Sequence, residues 1–311
     1  MTTSDFDFTD AVDLANERLG GRAVDCNDEF FAPMANLVRA AAPVFDPDRY
    51  TDRGKWMDGW ETRRRRQPGH DWCVVRLGLP GVVEGIVVDT AHFTGNYPEA
   101  CSIDVRDADA GGDWVEAVPR SPLCGDARNR FVVGAAGRVT HVRLNIYPDG
   151  GVARLRVHGR VVPDWQRAPA ECDLASIAFG GVVEACSDMH FGSRHNLILP
   201  GDATHMGDGW ETRRRRGPGH DWAIVRLGAP GHLVRAVVDT QHFKGNAPAA
   251  CSLEVEDAGG SWHEVLPRTP LSPDRLHELP LAPGPVAVRA RLNIYPDGGV
   301  ARLRLYGRRA T

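Results

Sequence analysis

Large parts of this chain are written twice. Asp58–Gly81 reads DGWETRRRRQPGHDWCVVRLGLPG, and Asp208–Gly231 repeats it with four substitutions. Val87–Phe93 (VVDTAHF) returns as Val237–Phe243 (VVDTQHF), followed by the Gly-Asn pairs Gly95–Asn96 and Gly245–Asn246. The string RLNIYPDGGVARLR stands unchanged at Arg143–Arg156 and Arg291–Arg304. Fainter matches open each copy: Asp13-Leu14-Ala15 with Asp173-Leu174-Ala175, and Asn36-Leu37 with Asn196-Leu197. Whatever fold the first copy adopts, the second must adopt too. A period of about 150 residues far exceeds the roughly 20–50 of a solenoid unit, so each copy is a whole domain.

The copies are not in constant register. Their offset is 160 at the start, 150 in the middle and 148 at the end. The first copy therefore carries about ten extra residues between Leu37 and Asp58, around APVFDPDRYTDRG. The expected division is a first repeat over 1–160, a linker over 161–170 with two prolines, and a second repeat over 171–311.

Within a copy the periodicity is two. Ala153, Leu155 and Val157 alternate with Arg154, Arg156 and His158, which predicts a strand with one buried face. Further strands are expected at Cys73–Leu77, Gly85–Thr90, Ser102–Asp107, Trp114–Val118 and Val139–Tyr147, and a short helix near Met34–Ala40. Asp149-Gly150-Gly151 reads as a tight hairpin turn. Short strands parted by Gly, Pro and Asp favour antiparallel packing over βαβ units. The predicted fold class is all-β: two tandem jelly-roll β-sandwich domains of the galactose-binding-like kind, with about eight strands each.

Several functions are argued against. A net charge of −4 does not suit nucleic acid. No segment approaches the roughly 18 apolar residues that span a bilayer. The acidic, polar N-terminus lacks the charged-then-apolar pattern of a signal peptide, so a cytoplasmic location is expected. The seven cysteines include no CxxC pair and read as thiols, not a disulfide framework. HExxH, clustered Cys/His pairs and an EF-hand loop are all missing, so no metal or cofactor is predicted. A carboxylate–histidine site assembled across strands, able to take a divalent ion, stays open.

Four segments could carry chemistry. In GWETRRRR the arginines Arg63, Arg64 and Arg65, with Arg213, Arg214 and Arg215, offer planar forks for a carboxylate, beside Glu61 and Glu211. If the run is extended, Arg63 and Arg65 face one way and Arg64 and Arg66 the other. The alternative is an ion-paired surface strand. In PGHDW, His70 and Asp71 would face opposite sides, and the alternative is turn chemistry. In VVDTxHFxGN, Asp89, His92 and Asn96, with Asp239, His242 and Asn246, fall at a strand end and its loop, where binding groups concentrate. A histidine near a carboxylate can act as general acid or base. In NIYPDGG, Tyr147 and Asp149 could line a site or merely shape a turn.

The repeated GWETRRRR, VVDTxHFxGN and RLNIYPDGG strings, in that order and over nearly the whole chain, resemble the allantoicase family. The resemblance implies two jelly-roll sandwiches, a homo-oligomeric hydrolase of linear amidines, and cleavage of allantoate to ureidoglycolate and urea in purine breakdown. That reaction needs a cationic group for the substrate carboxylate, an acid for the departing nitrogen, a base for water, and polar groups for the second ureido arm. Set against those demands, Glu61, Asp89 and His92, with Glu211, Asp239 and His242, are the catalytic candidates. Arg63–Arg65 and Asn96, with Arg213–Arg215 and Asn246, are the substrate-binding ones. A non-enzymatic jelly-roll module binding an anionic small molecule or saccharide is the rival reading.

Overall fold

The structure is a computed structural model and describes residues 7–134 and 137–310. The chain divides into two compact units, with the division after Val162. Each unit is an antiparallel jelly-roll sandwich built on an eight-stranded sheet.

One strand organises the first unit. Asp71–Asp89 runs for 19 residues and joins the two strands expected at Cys73–Leu77 and Gly85–Thr90. Its first part, Asp71–Arg76, pairs with Val139–Tyr147 on one side and Arg22–Cys26 on the other. Its last part pairs with Arg154–Val161 and Arg128–Val132. The register against Val139–Tyr147 jumps from Arg76 to Gly81, so the strand leaves one layer and enters the other. The sequence Leu77–Gly81 (LGLPG) makes that crossing possible. Pro80 has no N–H for a ladder. A Cβ on Gly78 would lie 2.4 Å from the Leu19 carbonyl oxygen, so only glycine allows this close approach.

Ala100–Arg106 and Val115–Pro122 extend the first layer. Val12–Asp13 closes the second against Arg154–Val161. The inward alternation of these strands fills the space between layers: Val75, Ile86, Ile103, Leu144, Ile146 and Leu155 are all fully buried. The second unit repeats the plan, with Asp221–Asp239 as its long strand between Ala287–Tyr295 and Arg302–Arg309.

The short helix expected near Met34–Ala40 is there, as a 3-10 helix over Met34–Val38. Asp149-Gly150-Gly151 is not a hairpin: Val139–Tyr147 and Arg154–Val161 each pair with the long strand, in different layers, and not with one another. The turn is a corner between layers. It also places Gly151–Val152 against the short strand Trp60–Glu61.

That corner is tight. A Cβ on Gly151 would fall 2.0 Å from the ring of Phe93, which is fully buried. Gly151→Ala should therefore overpack the corner and lower stability by about 1–3 kcal/mol. A urea denaturation midpoint equal to that of the parent protein would show that Phe93 is free to yield.

Candidate active site

A cavity of about 550 Å³ opens in the first unit beside the Trp60–Glu61 strand. Alternation decides what this strand presents. Trp60 is fully buried and its Nε1 donates to the Asp28 carbonyl at 2.8 Å. Glu61, on the opposite face, lines the cavity.

Burial pushes the Glu61 carboxyl up from its ordinary value, because the charged form loses its hydration. Asn96 opposes this: its Nδ2 donates to Glu61 Oε1 at 2.7 Å. The burial effect is the larger, so the group favours its protonated form more than a free glutamate does. Asn96 also fixes one oxygen, leaving the other for the cavity.

His92 lines the same cavity from a left-handed backbone, φ 69°. Its N–H donates to Asp126 Oδ1 at 2.8 Å, which offsets the strain of that conformation. Its ring Nε2 lies 3.2 Å from the Pro43 carbonyl. A carbonyl only accepts, so Nε2 carries the proton and Nδ1 is an acceptor in the neutral ring. Phe45 stacks on the imidazole with centroids 5.8 Å apart.

The remaining wall comes from the extra residues of the first copy. Phe45 and Lys55 both line the cavity. The Lys55 ammonium donates to the Pro47 carbonyl and sits 4.6 Å from the Tyr50 ring centroid and 5.1 Å from that of Phe45. The segment is anchored from beneath by Asp58, which accepts the Val44 N–H at 3.0 Å and the Arg154 guanidinium at 2.8 Å. Arg154 is 1% exposed and also donates to the Ala41 carbonyl at 3.0 Å.

The arginine run lies elsewhere. Arg63 grips Asp28, with Nε 2.7 Å from Oδ2. Arg65 grips Asp71 at 2.8 Å, and its N–H donates to Asp149 at 2.7 Å. Arg64 and Arg66 are exposed. None of the four lines the cavity. The alternation expected from an extended run is there, but it aims Arg63 and Arg65 at the carboxylates of Asp28 and Asp71. Arg213 and Arg215 do the same with Asp188 and Asp221, while Arg214 is exposed. Asp89 is buried at the end of the long strand, and its Oδ1 accepts the Ala91 N–H at 2.9 Å. Asp239 does likewise for Gln241 at 2.8 Å. Both aspartates shape turns. His70 lies against Tyr147, and its carbonyl accepts from Arg65.

The second unit keeps part of the site. Asn246 donates to Glu211 at 2.6 Å. His242, φ 70°, donates its N–H to Asp274 at 2.8 Å, and its Nε2 lies 2.9 Å from the Ala203 carbonyl. The wall differs. Residues 198–207 stand where the longer 38–57 does and include no lysine, arginine or phenylalanine; His205 stands where Lys55 does, Gly207 where Met57 does, and Lys244 where Thr94 does. The Lys244 ammonium lies 3.9 Å from the Asp274 carboxylate.

Sequence reasoning selected Glu61, His92 and Asn96, which the structure brings together, but missed Lys55, Phe45 and Asp126. The one signal for the first two was the length difference between copies. Among the described residues, no group of three or more His, Cys, Asp or Glu side chains is placed to hold a metal ion.

A model of the allantoicase repeat matches residues 12–162 and again 172–310. A probable allantoicase of Pseudomonas paraeruginosa is 49% identical over 97% of this chain and 97% of its own. A second, from Burkholderia pseudomallei, is 50% identical over 95% of this chain and 94% of its own. The crystal structure of allantoicase from Saccharomyces cerevisiae superposes with a TM-score of 0.84 at 38% identity, over 96% of this chain and 93% of that one. Matches of this extent, falling on both copies and on the fold, leave one conclusion: the chain belongs to the allantoicase family.

Proposed function

We propose that the protein hydrolyses allantoate to ureidoglycolate and urea, and that the reaction takes place in the cavity of the first unit. The observation that carries the reading is Glu61: a carboxyl pushed above its ordinary value by burial and oriented by Asn96, at the wall of a cavity large enough for a small ureide.

Hydrolysis breaks the bond between the central carbon and one ureido nitrogen. Glu61 gives its proton to that nitrogen as the bond breaks, and urea leaves neutral. The resulting carboxylate then takes a proton from the water whose oxygen bonds to the carbon, which restores the acid. In its neutral form the His92 ring offers Nδ1 as an acceptor for a ureido N–H, because Nε2 donates to the Pro43 carbonyl. Phe45 keeps that ring in place by stacking on it.

The test is direct. Purified protein mixed with allantoate should release urea and ureidoglycolate in equal amounts. No urea, together with calorimetric binding of a saccharide, would replace the hydrolase by a binding module. A cytoplasmic setting is part of the proposal and suits seven free thiols. So is assembly as a homo-oligomer, which rests on the family resemblance. No helix among the described residues is long and apolar enough to cross a membrane.

A further inference from the structure

We infer that Lys55 binds the carboxylate of the substrate, and that only the first unit therefore turns over. The inference rests on the proposed hydrolase reading. Allantoate is an anion, and it must enter a cavity whose wall already holds the carboxyl group of Asp126. A like charge there is repelled unless a cation meets it. Of the residues that line the cavity, Lys55 alone is a lysine or arginine.

The partners of Lys55 are neutral. Its ammonium donates to the Pro47 carbonyl and rests over the rings of Tyr50 and Phe45. No ion pair to it occurs among the described residues. An ammonium has three donors, and a carbonyl uses one. The rings hold the charge by their faces without cancelling it. The result is a positioned cation with donors to spare, in the wall of the cavity that Glu61 also lines.

The second unit has the glutamate without the lysine. Glu211 and Asn246 keep their hydrogen bond, but residues 198–207, which stand where 38–57 do, include no lysine or arginine, and His205 takes the position of Lys55. Lys244, at the position of Thr94, is drawn to Asp274. Arg214 and Arg216 are exposed.

Lys55→Met should raise KM for allantoate by roughly 10- to 100-fold, the worth of a charge-assisted hydrogen bond. Turnover at saturation should stay within about threefold, because the carboxylate is held alike in substrate and transition state. The parent protein should strongly prefer allantoate to its neutral primary amide, and Lys55→Met should lose that preference. Lys55→Arg should recover part of it, which a merely structural role for the side chain would not explain. Calorimetry with allantoate on Glu61→Gln protein should count one bound molecule per chain. An unchanged KM and preference in Lys55→Met, or two molecules per chain, would overturn the inference. Failure of the parent protein to release urea would instead remove the hydrolase reading beneath it.

Discussion

Glu61→Gln is expected to lower kcat by about 10²–10⁴-fold, the usual contribution of a positioned general acid, while Glu211→Gln keeps kcat within about twofold. The amide keeps the shape and the bond with Asn96 but has no acidic proton. The pH dependence follows from the same group. Burial raises the Glu61 carboxyl, and the active form is the protonated one, so kcat should fall as pH climbs through that raised value. Asn96→Ala removes the bond that holds the value down, so this falling limb should move to higher pH. The Ala variant should also turn over more slowly, since the acid is no longer oriented. Steady-state urea release from pH 5 to 9 reads all of these. Equal losses from Glu61→Gln and Glu211→Gln would mean two working sites.

The largest expected effect on stability is at Asp58. Its carboxylate meets the Arg154 guanidinium at 2.8 Å, and both side chains are buried. Burial alone would raise this carboxyl, but the bonds from Arg154 and from the Val44 N–H, with the Arg39 and Arg154 charges, pull it below its ordinary value. Asp58→Ala leaves the guanidinium buried and unpaired, which should cost about 3–5 kcal/mol. It also frees Val44 and with it the segment that carries Phe45 and Lys55. Activity should then fail in urea at lower concentrations than unfolding of the chain as a whole. The pH sign is that of a depressed carboxyl. Its stabilisation is complete above the unfolded value and is lost as pH falls through the folded one, so parent and variant should converge in acid. A denaturation midpoint unchanged by Asp58→Ala would show that water reaches Arg154.

The domain plan was legible because it was written twice, and most strands because their alternation survives in a sandwich. The long strand was read as two, since LGLPG has the composition of a loop; a bend between layers uses the same residues as a break. The corner at Asp149 was read as a hairpin for a related reason. Turn residues report local geometry, whereas the partner of Arg154–Val161 is set by pairing with Val82–Asp89, far back in the chain. At the site, Glu61, His92 and Asn96 stood out as chemistry at a strand or its end. Lys55 did not, because its segment has no periodicity and is positioned by Asp58 and Arg154, which are 96 residues apart. The arginine run misled through charge: four cations in a row suggested a clamp, but Asp28 and Asp71 had already claimed alternate members.

The entry and exit of each unit lie side by side. Val12 pairs with Gly159, and Cys172 with Gly307. A fold closed in this way is a cassette: chain can be added at either end without opening a sheet. A copied gene segment then needs only a short connector, here residues 162–171, to yield a second working fold. Closure also confines later change. Residues gained in one cassette, such as the segment bearing Lys55, can specialise that copy while leaving the ladders of the other intact. A transplant follows from the same logic. Carrying residues 38–57 into the second cassette, with Lys244→Thr, is the shortest route to a chain with two catalytic centres.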